Sequence, residues 1–337
     1  MMHPLTRSLE SGRPFAWRKA GRVYAPDLPG FTHGSHPCAI HQEGDRFVIA
    51  FTCRDAQQRS QAFLSRATIR DGRMGLEGTP KLVMTHGAPG TFDCDGVIGV
   101  CIVPHRGRTY LYYVGWQNLP EGMWICDTGR AILDLEALTC TREFAGPVLG
   151  RDKANPLFAA ATAILVEDGQ WRTWYNSGIS WTRTEAGWLH HYGIHHAHSR
   201  DGVDWICDPG LVLPFKDEHE YAFGRPTVIR RDGILFMWFA HRASPGIPTY
   251  RIGFAHSRDD IQWTRRDDLA GIDVAADGWD SEMICYPYVF EHGNRVYMLY
   301  NGNGYGRTGF GLAVLDDTVL DGASEDGAAG GQGVGAA

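Results

Sequence analysis

Three carboxylic acids stand at nearly the same distance ahead of a turn glycine in three separate parts of the sequence. Asp95 precedes Gly107, Glu220 precedes Gly233 and Glu282 precedes Gly293, at offsets of 12, 13 and 11 residues. Carboxyls gathered at one depth repel each other when ionised, which raises the pKa of at least one and suits it to general acid work at neutral pH. Asp93 and Asp280 flank the same positions as further polar contacts. For Asp95, in Phe92-Asp93-Cys94-Asp95-Gly96, the plain alternative is turn formation, because Asp before Gly is a common turn pair.

Other side chains could complete such a site. Arg225, in Gly224-Arg225-Pro226, stands at a strand start, where a buried guanidinium needs an anionic ligand or an ion pair; Glu220 is the partner the sequence suggests. His36 could act as a base at neutral pH or sit satisfied at a strand start. Arg54 follows the strand ending Phe51-Thr52-Cys53, from which it either reaches a rim or pairs with Asp55. Trp116, Trp124, Trp181, Tyr286 and Tyr305 suit the floor of a sugar site, although most of the 11 Trp must serve packing. Asn301 opens the loop Asn301-Gly302-Asn303-Gly304-Tyr305-Gly306, whose glycine string joins two strands and therefore is no dinucleotide fingerprint. His190, His191, His195, His196 and His198 cluster in sequence. Strand alternation puts His196 and His198 on one face and His195 on the other. Without a Cys partner or a His-Glu-x-x-His spacing, neither a metal site nor a cofactor is expected.

The elements that must position these residues are short strands. Gly 42, Pro 17 and 12% aromatic residues favour strands joined by tight turns, and no long stretch has the apolar spacing of a helix. Each aromatic strand follows a turn glycine: Gly44, Gly107, Gly169, Gly233 and Gly293, in steps of 63, 62, 64 and 60 residues. A second marker keeps the same register, His198-Ser199-Arg200-Asp201-Gly202 followed by Trp205, recurring as His256-Ser257-Arg258-Asp259-Asp260 followed by Trp263. Repetition at this period means stacked or radial units, and a ring leaves no end unit uncovered. The predicted fold is all-β, a five-bladed β-propeller over residues 36–317. Residues 1–35 are expected to supply a strand that closes the ring, and 318–337 to form a flexible Gly/Ala-rich tail.

Charge and cysteine content narrow the partners. The net charge of -7 is scattered with no basic stripe, which argues against nucleic acid. No run of 18 apolar residues occurs and the N-terminus has no uninterrupted apolar core, so neither a membrane span nor an export signal is expected. The expected location is cytoplasmic, where the eight cysteines, lacking Cys-x-x-Cys spacing, would be reduced.

The repeated aromatic hairpins, the Ser-Arg-Asp turns and the segment from Gly278-Trp279-Asp280 through Tyr286-Pro287-Tyr288 to Asn301-Gly302-Asn303-Gly304 resemble the five-bladed-propeller glycosidases. These include arabinanases, β-xylosidases, invertases and levansucrases; more closely, the chain resembles an uncharacterised intracellular branch tied to biosynthesis. The resemblance spans about residues 30–316. It implies a funnel-shaped site in which carboxyls flank a glycosidic bond, here Asp95, Glu220 and Glu282, on a small glycoside or activated sugar. The pattern departs in two places: His36-Pro37 stands where those families place Asp-Pro, and Ala161 where they place Glu. The departures leave open a lyase, cyclase or isomerase step on a biosynthetic intermediate, or glycan binding without chemistry.

Overall fold

A computed structural model describes residues 2–242 and 249–316; the tail expectation for 318–337 falls outside the described residues. The first helix, α1 (Pro4–Ser11), is capped at its start by the His3 ring and ended by Gly12 in the left-handed region. Strand β1 (Trp17–Tyr24) follows. Four antiparallel runs come next in chain order. The first is β2 (Thr32–His41), β3 (Arg46–Arg54), β4 (Ser60–Arg70) and β5 (Arg73–Met84), and the second is β6 (Gly96–His105), β7 (Arg108–Asn118), β8 (Trp124–Asp134) and β9 (Thr139–Arg142). The third is β10 (Ala159–Glu167), β11 (Gln170–Thr184), β12 (Gly187–Ser199) and β13 (Ile206–Cys207). The fourth is β14 (Ala222–Arg231), β15 (Ile234–Arg242), β16 (Tyr250–Ser257) and β17 (Trp263–Arg265). The last sheet is β18 (Cys285–His292), β19 (Arg295–Asn301), β20 (Phe310–Leu315) and, outermost, β1 from the other end of the sequence.

Twisted sheets with two apolar faces must bury both. Phe236, Trp238 and Phe254 pack against Met298 and Tyr300, and Phe51 and Phe63 against Leu299 and Phe310. Val48 and Leu64 meet Leu111 and Tyr113; Tyr112 and Val114 meet Phe158 and Trp171; Trp174 and Ile194 meet Met237 and Phe239. Every core thus lies between two neighbouring runs, and each fully buried large side chain contributes about 1.5–3 kcal/mol. The first strands touch in a closed cycle, β2 to β6, β6 to β10, β10 to β14, β14 to β18, and β18 back to β2. Their starting ends surround one axis.

Each of these inner strands carries a register shift against its partner: at Ser35/Cys38, Gly99/Cys101, Ala161/Ala163, Gly224/Thr227 and Cys285/Tyr288. In three of them the bulge is an X-Pro pair whose first residue has positive φ: His36 at 53°, Arg225 at 36° and Tyr286 at 55°. Proline has no ladder donor to lose, and the left-handed residue swings its side chain toward the axis. Counting back from the turn glycines makes Cys285 the counterpart of His36 and Arg225, but the structure puts Tyr286 there. The cause is the hairpin. Asp232-Gly233, Arg106-Gly107 and Asp168-Gly169 place glycine second in the two-residue loop, with both residues at positive φ. Between β18 and β19 the loop is Gly293-Asn294, with glycine first, which shifts the count by one.

Candidate functional site

The bulges aim side chains into a cavity of about 110 Å³ where the inner strands meet. One wall is apolar, built from Ile98, Val100, Trp116, Trp124 and Phe158 of the second and third runs. Trp116 and Trp124 stack with ring centroids 4.4 Å apart, and Trp181 stands edge-on to Trp124 at 6.0 Å. The polar part of the lining is His36, Asn176, Tyr192, Arg225, Tyr250 and Tyr286. None of the described residues lining the cavity is a carboxylate.

His36 stacks on Tyr286 at 4.1 Å, so these two inner-strand residues form one platform. Asn301 organises it. Its Oδ1 accepts the His36 backbone N–H at 3.1 Å, and its Nδ2 donates to Ser35 Oγ at 2.8 Å and to the Tyr305 carbonyl at 3.1 Å. The Ser35 hydroxyl in turn hydrogen-bonds His36 Nδ1, 2.7 Å away. Burial, then Arg225 and Arg54, hold the His36 pKa well below its usual value, so the ring is neutral. Asn176 repeats the device, accepting the Arg225 N–H at 3.0 Å.

Arg225 is buried but is not paired with Glu220, the partner its sequence suggested. Its guanidinium donates to the carbonyls of Tyr286 (2.8 Å), Pro37 (2.7 Å), Val100 (3.0 Å) and His36 (3.4 Å). These carbonyls belong to β18, β2 and β6, so one side chain from β14 ties four inner strands together.

The acids do not share one environment. Glu220 is buried and accepts from Arg265 at 2.6 and 2.7 Å, with His241 at 3.3 Å. These partners outweigh burial and bring its pKa down to about 2, which removes it as the raised-pKa general acid expected from the sequence. Asp93 is buried against Arg142 at 2.7 Å, and Asp280 against Lys19 at 2.6 Å and the Tyr300 hydroxyl at 3.0 Å, so both carboxylates are held in ion pairs within the fold. Asp95 is half-buried at the rim beside Trp116, where Oδ2 accepts the Asn118 N–H at 2.8 Å. Glu282 is exposed just before β18, and its carbonyl, not its carboxylate, accepts from Thr249 and Arg251. Arg54, half-buried at the end of β3, lies close enough to bear on both His33 and His36. Tyr305 stands edge-on to Tyr250, 6.0 Å away, in the loop between β19 and β20, where it and Gly304 both take positive φ.

The histidines disperse. His196 and His198 share a face, both facing Asp208 at 2.6 and 3.5 Å, whereas His195 packs near Tyr175. His190 lies flat on Trp181 at 3.7 Å and edge-on to Trp124 at 4.5 Å, and burial pushes its pKa down to about 3. No group of three or more metal-ligating side chains comes together among the described residues.

Sequence reasoning missed Tyr192, Tyr250, Tyr221, Asn176 and Arg242. One signal was available for Arg242: it falls nine residues after its turn glycine, as Trp116 does near the end of β7. Tyr192 and Tyr250 come from the third strands β12 and β16, and Tyr221 stands just ahead of β14.

No known family model matches the protein. Two curated proteins, uncharacterised proteins MT1551 and Rv1502 from two strains of Mycobacterium tuberculosis, are each 36% identical over 305 residues, spanning 90% of this sequence and all of theirs. Among solved structures, BT0996 in an RGII complex superposes with a TM-score of 0.70 at 17% identity, covering 94% of this protein and 95% of that one. A thermostable family-43 glycoside hydrolase does so with a TM-score of 0.59 at 16% identity, covering 87% and 91%. The solved structures share the fold, and the curated relatives share the sequence over nearly its whole length. The protein belongs to the family of the M. tuberculosis proteins MT1551 and Rv1502, and its fold is that of the β-propeller glycosidase superfamily.

Proposed function

We propose that this protein is a carbohydrate-active enzyme built on five blades, with its site in the axial cavity, acting on a glycosyl group of a small glycoside or activated sugar. The observation that carries this reading is the cavity itself: a stacked Trp116–Trp124 pair and hydroxyl, imidazole and amide groups line one space of about 110 Å³. Aromatic faces take the CH faces of a sugar ring while the polar side takes its hydroxyls. Glycoside hydrolases among the structures of the same fold support the substrate class.

The reaction needs a proton donor and an acceptor. Of the five acids singled out by position, three are held by cations; Asp95 and Glu282 alone have carboxylates that no cation neutralises among the described residues. Both precede inner strands that line the cavity, and in this reading a substrate larger than one ring reaches them. In this reading they carry the acid and base roles, His36 and Tyr286 form the platform, and Arg225 holds the platform rigid.

Screening aryl glycosides and nucleotide sugars by mass spectrometry tests the activity. With a substrate in hand, Asp95→Asn and Glu282→Gln should each lower turnover by at least about a hundredfold, with the melting temperature within about 2 °C of wild type. Full activity in both variants removes the carboxylates from the mechanism. One observation favours a second reading, a lyase, cyclase or isomerase step: no carboxylate among the described residues lines the cavity, whereas neutral His36 does. It predicts an altered sugar without cleavage, and loss of activity in His36→Ala with Asp95→Asn still active.

A further inference from the structure

Arg242, the last residue of β15, stands half-buried next to the cavity wall, surrounded by aromatic rings. Its guanidinium carbon lies 5.5 Å from the ring centres of Tyr221 and Tyr250 and 5.8 Å from that of Tyr305. Tyr250 is itself part of the cavity wall, and its hydroxyl bonds that of Tyr192. The Nε of Arg242 is buried and has no hydrogen-bond acceptor among the described residues. No carboxylate among them pairs with the guanidinium either.

Other arginines in this molecule do not behave so. Arg130 meets Glu143 at 2.6 Å, Arg142 meets Asp93 at 2.7 Å, Arg265 meets Glu220 at 2.6 Å, and Arg225 is filled by backbone carbonyls. The ring faces attract the Arg242 cation and keep it in place, but they accept no hydrogen bond in the plane of the guanidinium. An arginine side chain keeps its charge at any physiological pH. Burial keeps Tyr192 and Tyr250 protonated, as hydroxyl donors and not as counter-ions. Arg54 and Arg307 both bear on His33, and none of the described residues lining the cavity is a carboxylate.

We propose that Arg242 anchors an oxyanion carried by the sugar substrate, a carboxylate or a phosphate ester, at the mouth of the axial cavity. The proposal rests on reading the cavity as a carbohydrate site. A planar guanidinium matches either oxyanion with two parallel N–H···O bonds, and the enclosing phenols add donors from the side. A neutral sugar leaves the buried cation without an acceptor, so the site discriminates by the charge of the substrate and not only by its shape.

The test is binding to the intact protein, by calorimetry and tryptophan fluorescence, with glucuronate, glucose phosphate, inorganic phosphate and glucose as probes. Wild type, Arg242→Met and Arg242→Lys are compared, with melting temperature as the folding control. At least one of the two anionic sugars is expected to bind roughly tenfold to a hundredfold more tightly than glucose, the range a charge-assisted pair supplies. Arg242→Met should abolish that advantage, Arg242→Lys should keep part of it, and added salt should reduce it. Which anionic sugar wins identifies the oxyanion. Equal binding of glucose and both anionic sugars to wild type, an unchanged preference in Arg242→Met, or no binding of any anion overturns the proposal. The two readings fail separately. A glucose response of the tryptophans without an anion preference keeps the carbohydrate site and removes the anchor. Arg242-dependent binding of inorganic phosphate, with no response to any sugar, keeps the anchor and removes the carbohydrate site.

Discussion

Arg225 shows how one residue can be placed correctly and understood wrongly. Its sequence signals a buried charge in need of a partner, and Glu220 lies five positions away. The structure gives Glu220 to Arg265 and His241, and gives Arg225 four carbonyls from three other inner strands. Removing that guanidinium leaves buried carbonyls unsatisfied, so Arg225→Met should lower unfolding stability by about 3–5 kcal/mol in urea titrations. A loss below about 1 kcal/mol would show that the carbonyls find other donors. Glu220 gives a pH-dependent prediction. Its folded pKa lies below the unfolded value, so its contribution is complete above about 4.5 and is lost as pH falls toward about 2. Glu220→Gln should therefore be destabilised relative to wild type at pH 7, and the gap should narrow at pH 3.

At the scale of the element, the X-Pro bulge is the device that builds the site. Three of five inner strands use it, and in each the residue before proline takes a positive φ that costs an L-residue roughly 1–2 kcal/mol. Asn301 and Asn176 repay part of that cost by accepting the N–H groups of His36 and Arg225. His36→Gly and His36→Ala both remove the ring, but only alanine keeps the backbone strain. Glycine should accordingly be the more stable of the two by about 1 kcal/mol, a difference thermal melts can resolve. Alanine equal to glycine would mean that the strand relaxes out of the bulge once the ring is gone. The bulges were only partly legible in the sequence. His36-Pro37 and Arg225-Pro226 align on their glycines, but Tyr286-Pro287 does not, because its hairpin places glycine one position earlier.

For the whole molecule, closure of the ring and the buried histidines each bear on stability. β1 and the segment before it place Phe15 and Trp17 against Trp238 and Phe254 of the fourth run while pairing with β20 of the last. Deleting residues 2–25 exposes that cluster and the edge of β20, so the truncated protein should aggregate or lose cooperative melting. A truncated protein that melts as sharply as wild type would assign closure to other contacts. Several histidines are held neutral by burial: His33 with a pKa lowered to about 4, His190 to about 3, and His36 well below its usual value. Their unfolded forms take up protons near pH 6.5 while the folded forms do not, so stability is full above that pH and falls as pH drops toward 4. His190 alone should remove roughly 1.4 kcal/mol per pH unit across that window, and His190→Phe should flatten the profile between pH 6 and 4.

The sequence by itself determined the class of fold, because a glycine turn before every aromatic strand, repeated at one period, is a local property that each unit states independently. It also put His36 and Arg225 at equivalent positions, which a radial repeat brings together, whereas Tyr286 fell one position out of the count. The partners of the charges were decided only in the tertiary structure. Asp93, Glu220 and Asp280 look alike as acids ahead of inner strands, yet each is neutralised by a cation from elsewhere: Arg142, Arg265 and Lys19. Arg242, which looks like any strand-end arginine, is enclosed by tyrosines, and its Nε has no acceptor among the described residues. A repeat fixes depth around an axis, but an ion pair depends on which side chain reaches across from a neighbouring strand, and that distance appears only once the ring is closed.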